Sequence, residues 1–217
     1  MKINFVLSGE GSSDLNLIDH IENLLIEEGF EEVSGKLFEP GKLPNRIGHA
    51  VIDKIRAIVR LHPSADLIIM HRDADNVGLP ARRTEIVDAA LEAGCQEKVV
   101  PLVPVTSLET WLLCDEQAIR SAAGNPRGRV PLNNLPRTCQ LESVRDSKQL
   151  LEDVLVTASE LQGAKLRELR KRFGRLRARL ALELRVEGPV RQLRSYEAFR
   201  TELITKCSST INSYTPR

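Results

Sequence analysis

The 217 residues suffice for one domain, or one domain with an extension, around a real hydrophobic core. With 41% hydrophobic and 28% charged residues, the chain holds no apolar run long enough to span a bilayer and opens on no secretory pattern, so a cytoplasmic protein without a membrane partner is expected. The net charge of +1 hides an asymmetry: residues 1–62 carry seven Lys/Arg against ten Asp/Glu, residues 163–200 twelve against four, which directs the search for an anionic partner to the C-terminal part.

In chain order, "KINFVLS" reads as a strand and runs into "VLSGEGSSD". Gly9 and Gly11 match the first two glycines of G-x-G-x-x-G, but Asp14 stands in place of the third. Glu31, Glu32 and Glu39 are the available ribose acids, yet a carboxylate in the turn opposes a pyrophosphate at the helix N-terminus, so dinucleotide binding ranks low. A helix over about Asp14–Glu28 follows, capped by Ser12 or Ser13, burying Leu15, Ile18, Ile21, Leu24 and Leu25 and stopped by Gly29. "VSGKLFE" is a weaker strand. Helices over about Pro44–Leu61 and Pro80–Glu92 bracket the strand "ADLIIMH", and "KVVPLVP" is the last strand. Thr106 and Glu109 form a T-x-x-E capping box for a helix through Trp111, a core residue. The four cysteines, Cys95, Cys114, Cys139 and Cys207, lack C-x-x-C spacing, which argues against a zinc site or a disulfide framework. The fold class is α/β: a Rossmann-like, mainly parallel sheet flanked by helices over 1–123, an irregular linker over 124–145, and a basic helical extension over 146–217.

Strand ends carry the chemistry. Glu10 follows the first strand, Asp73 and Asp75 follow "LIIMHR", and Glu109 lies just past "PLVPVTS", so in a parallel sheet all four share the edge where such folds place ligands. Grouped like charges call for a cation, and a hard divalent ion is the usual one. Bland readings stand beside this: Asx-turn formers for Asp73 and Asp75, a helix-start acid for Asp14, a cap for Glu109, and structural hydrogen bonding for His49 and His71.

"VLSGEGSSD" followed by "LIIMHRDADNVG" resembles the signature of the TOPRIM family, over about the first 115 residues. "TSLETWLLCD" is similar to small TOPRIM-like proteins encoded beside ATPases in anti-phage loci. The resemblance implies a Mg²⁺ (or Mn²⁺)-dependent phosphodiester chemistry, with Glu10, Asp73 and Asp75 as ligands and Asp14 as the further acid used by some overcoming-lysogenization-defect nucleases. Glu109 would complete the catalytic set and Arg72 would contact phosphate. Tyr196 and Tyr214 are the only tyrosines, both near the C-terminus, which disfavours topoisomerase activity.

Beyond the linker, Leu166, Leu169, Phe173, Leu176, Leu180 and Leu184 define one apolar seam, and Arg167, Arg170, Lys171, Arg172, Arg175, Arg177 and Arg179 surround it with charge suited to a phosphate backbone. The resemblance implies a metal-dependent nuclease of a bacterial defence system, binding nucleic acid, controlled by a partner ATPase and open to oligomerisation; with no Walker A motif present, any ATP hydrolysis would come from another chain. The competing class is a non-catalytic scaffold or sensor of the same fold.

Overall fold

Period-two alternation in the first strand decides the architecture. In β1 (Lys2–Ser8), Ile3, Phe5 and Leu7 enter one apolar core while Val6 enters another, so the strand is covered on both faces. The computed structural model, which describes residues 1–11, 14–44 and 46–214, pairs β1 with β2 (Glu32–Phe38) on one side and β3 (Leu67–His71) on the other, with β4 (Val99–Leu102) beyond β3. Every pairing is parallel, in register Leu7 with Leu37, Leu7 with Ile69, and Ile69 with Val100. The fold is therefore α/β with an all-parallel sheet of order β2-β1-β3-β4.

Helices α2 (Val51–Leu61) and α3 (Leu79–Glu92) bury Ile55, Ile58 and Ile86 against Val6, Ile68 and Met70. The opposite face, lined by Phe5, Leu7, Ile69 and Leu102, takes α1 (Ile18–Glu27), α4 (Glu109–Leu112), α5 (Glu116–Ala122), α6 (Ser147–Ser159), α8 (Phe173–Leu182) and α9 (Arg194–Tyr214). Gly29 and Gly94 end α1 and α3 with φ of 95° and 67°, conformations that cost other residues more.

Three expectations change. A 3-10 turn over Asp14–Leu17 precedes α1, and the expected caps Ser12 and Ser13 lie outside the described residues, as does the side chain of Leu15. The second helix starts at Val51, not near Pro44: Ala50 is extended and Gly48 packs so closely on the Asp53 carboxylate that a side chain there would collide with it. The basic seam divides at Arg172 into α7 (Gly163–Lys171), which buries none of its residues fully, and α8, which buries Arg177, Leu180 and Ala181. The C-terminal helices share one core with β1, β3, β4 and α1.

Candidate functional site at the carboxyl edge of the sheet

The chain leaves β1 outward to β2 and returns to β3 on the other side of β1, so the crevice of this topology lies at the carboxyl ends of β1 and β3. The loops after β3 and β4 are tied together there. Arg72 N donates to Leu102 O (3.1 Å), Ala74 N to Pro104 O (3.2 Å) and Asp75 N to Thr106 O (2.8 Å). Asp75 and Thr106 adopt left-handed φ of 45° and 59°; for a β-branched threonine this is strained, and its hydroxyl stabilises the turn by donating to Val105 O at 2.6 Å.

An inner cluster is built on His71, the last residue of β3, which is fully buried. Its Nδ1 lies 3.3 Å from Asp14 Oδ2 and its Nε2 lies 3.3 Å from Asp73 Oδ1, ion-pair contacts without the alignment of hydrogen bonds. Asp73 Oδ1 also accepts from Leu108 N (3.0 Å), and Asp73 Oδ2 faces Lys148 Nζ from α6 at 3.4 Å. Asp14 Oδ2 accepts from Gly11 N at 2.9 Å, while its Oδ1 accepts from Arg177 Nη2 at 2.7 Å. Arg177 Nε reaches Glu109 Oε1 at 2.5 Å, and Glu109 Oε2 accepts from Ser107 Oγ at 2.6 Å. With its one proton so used, Ser107 Oγ accepts from Ser147 Oγ at 2.8 Å.

Burial alone would discharge these groups, and their pKa shifts show that pairing wins. For His71, burial presses the pKa down, but Asp14 and Asp73 raise it to about 9, so the ring is an imidazolium at neutral pH. Burial pushes Asp14 up, yet His71, Arg177 and the Gly11 amide hold it well below the usual carboxylate range. Asp73 is likewise held down against burial by His71 and Lys148. Three carboxylates, Asp14, Asp73 and Glu109, thus face three cations, His71, Lys148 and Arg177.

An outer rim is more open. Glu10 pairs with Arg72 Nε at 2.5 Å, Arg72 with Glu85 at 3.1 Å, Arg82 with Glu85 at 3.0 Å, and Arg82 with Asp75 at 3.9 Å. The structure thus gathers all the expected acids at one edge but sorts them: Asp14, Asp73 and Glu109 inside, Glu10 and Asp75 outside.

Arg177 is not part of the basic surface; it is 8% exposed and bridges Asp14 to Glu109, because it stands on the seam, four residues after Phe173 and three before Leu180. Arg167, Arg170, Lys171, Arg172, Arg175 and Arg179 are exposed. The capping box is not formed: Leu108 occupies the cap position of α4 without a side-chain bond, and the Glu109 carboxylate turns inward. His71 and Lys148 enter the site beyond expectation. His71 had a signal, as the polar end of a wholly buried strand, whereas nothing local marks Lys148, which meets Asp73 only through the tertiary fold.

Glu10, Asp73 and Asp75 are hard oxygen donors, the right kind for Mg²⁺ or Mn²⁺. As placed they do not form that site: each is held by Arg72, Lys148 or Arg82, and among the described residues no three His, Cys, Asp or Glu side chains are grouped to hold an ion. In comparisons with known proteins, no family model, curated protein or solved structure matches the chain.

Proposed function

We propose that the chain acts on nucleic acid at this edge, as a phosphodiester hydrolase of the TOPRIM-like kind. The observation that supports the reading most is the anchoring of the basic helix pair into the acidic edge: Arg177 joins α8 to Asp14 and Glu109, so the exposed Arg172, Arg175 and Arg179 are carried within about 8 Å along the helix axis of that contact, at 1.5 Å per residue. A phosphate backbone held by those arginines passes the rim, where Arg72, Arg82 and Lys148 meet phosphate oxygens and thereby release the carboxylates they now neutralise. Glu10 or Asp75, the solvent-facing acids so released, takes one proton from a water whose oxygen bonds to phosphorus as the bond to the leaving ribose oxygen breaks, and that oxygen takes its proton from solvent. The defence role and the ATPase partner rest on the resemblance alone.

One observation favours the scaffold reading instead: the three-against-three balance leaves the inner carboxylates with no need of a further cation. Cleavage of plasmid DNA and tRNA, with and without Mg²⁺ or Mn²⁺, separates the two. The hydrolase reading expects cutting that Glu10→Gln plus Asp75→Asn reduces at least a hundredfold while nucleic-acid binding persists. A wild-type chain that binds but never cuts, with either ion, is the scaffold. Divalent dependence, if found, means that the ion displaces Arg72, Arg82 or Lys148.

A further inference from the structure

Beside Glu10, on the β2 side of the edge, lies a second feature that no step above uses. A cleft of about 320 Å³, toward the small end of the range for ligand sites, is lined by the Gly9–Gly11 turn, by Phe38 to Lys42 at the end of β2, and by His49 and Lys54. Its charges are unevenly answered. Glu10 is neutralised by Arg72 and Glu39 by Lys42 at 2.8 Å. Lys54 is half-buried, yet among the described residues it makes no ion pair; its hydrogen bond is a long one, 3.4 Å, to the Gly9 carbonyl. Burial, and the nearby charge of Arg72, lower its pKa against the pull of Glu10, Asp14 and Glu85. A part-buried ammonium that feels Glu10, Asp14 and Glu85 only at a distance, with no carboxylate in contact among the described residues, is open to a directly bound anion. The cleft has room for that anion.

We propose that this cleft binds the phosphate of a nucleotide, with Lys54 as the phosphate-contacting group. The choice of ligand rests on the nucleic-acid reading above; the anion site itself does not. The nucleotide is either free or the 5′ end of a strand, and the phosphate chemistry is the same.

The test is a titration of the full chain in EDTA buffer, followed by calorimetry and by amide chemical shifts. The probes are adenosine 5′-monophosphate, adenosine, and one oligonucleotide with and without a 5′-phosphate. Expected are binding of the monophosphate but not of adenosine, shifts centred on Gly9, Gly11 and Gly41, an affinity at least tenfold weaker in Lys54→Met, and recovery to within a few-fold in Lys54→Arg. A phosphorylated strand binding more tightly than the free nucleotide in a Lys54-dependent way identifies the strand end as the source; equal or weaker binding identifies the free nucleotide. Adenosine binding as well as its monophosphate, indifference to Lys54→Met, or shifts centred on α7 and α8 overturns the proposal, and the shift map needs no variant to fold. Adenosine 5′-monophosphate carries no phosphodiester bond to cut, so capture of it without cleavage in the earlier assay sinks only the hydrolase reading. Cleavage without nucleotide capture sinks only the cleft.

Discussion

Arg177 shows what one side chain does when two buried acids depend on it. Its guanidinium is the counter-charge that Asp14 and Glu109 share, and its own pKa is raised by those carboxylates against the effect of burial. Removing one member of a buried pair leaves uncompensated charge, which costs about 3–5 kcal/mol. Arg177→Met is therefore expected to destabilise the chain by that amount in urea unfolding, whereas the exposed Arg175→Gln stays within about 0.5 kcal/mol of wild type. Equal effects from both would mean that Arg177 is not the buried bridge. The same burial alters an expectation about Asp73. Being 4% exposed and paired with His71, it cannot be neutralised without a cost to the fold, so Glu10 and Asp75 are the better places to test chemistry.

Two histidines give the chain a stability optimum. His71 keeps its proton to about pH 9 when folded, while the ordinary value is 6.5, so between these the folded state holds the extra proton and stability falls as pH rises. His20 is the reverse. The Leu184 carbonyl can only accept, so His20 Nδ1 carries the proton and Nε2 accepts from the Tyr196 hydroxyl, each at 2.9 Å. Burial lowers its pKa to about 4, so between there and 6.5 the unfolded state binds the extra proton and stability falls as pH falls. The optimum lies near pH 6.5, with limbs of the order of 3 kcal/mol each. Urea unfolding at pH 5, 6.5 and 8.5 checks this: His71→Asn flattens the alkaline limb and His20→Gln the acid one; a wild-type curve that only rises with pH contradicts the His71 assignment, and one that only falls contradicts that of His20.

At the scale of elements, β3 and β4 were legible as the continuous apolar runs that a parallel sheet needs, and β1 by the alternation of Ile3, Phe5 and Leu7. The helix break at Arg172 was not, because the apolar spacing runs through it unbroken; what ends α7 is a local backbone turn at Arg172, with φ of −99° and ψ of 7°. The inward turn of Arg177 was half-legible, since its place on the seam marks it out from Arg175 and Arg179, which fall two residues to either side. The capping box misled because T-x-x-E also fits a glutamate that a distant arginine claims. These helices carry a prediction of their own. Lys171 is paired with Glu168 and Arg179 with Glu183, while Arg170, Arg172 and Arg175 make no ion pair among the described residues. Changing those three to Gln should weaken duplex DNA binding and flatten its salt dependence by about 0.9 in log–log slope for each phosphate that the variant no longer neutralises. An unchanged slope would show that nucleic acid does not lie along α7 and α8.

At the scale of the whole molecule, a unit over 1–123 with a helical extension behind it is a division that the shared core does not follow. β4 is an edge strand against which α9 packs. Trp111 Nε1 donates to Ser195 Oγ at 2.9 Å, and Tyr196, Phe199 and Leu203 are buried in the same core as Phe5 and Leu7. The charge balance crosses the same boundary, since Lys148 and Arg177 come from the C-terminal helices while Asp14, Asp73 and Glu109 come from the sheet loops. A fragment of residues 1–145 would therefore lose the packing of α9 on β4 and two of the three cations of its inner cluster together, leaving His71 as the one cation for three carboxylates. The expected outcome is a fragment with helical far-ultraviolet signal, dye-accessible apolar surface and no cooperative thermal transition, while the full chain melts in a single step. A fragment that instead melted cooperatively, with Trp111 still buried by fluorescence, would show that the α/β part folds alone and that the C-terminal helices are an addition to the site and not a wall of it.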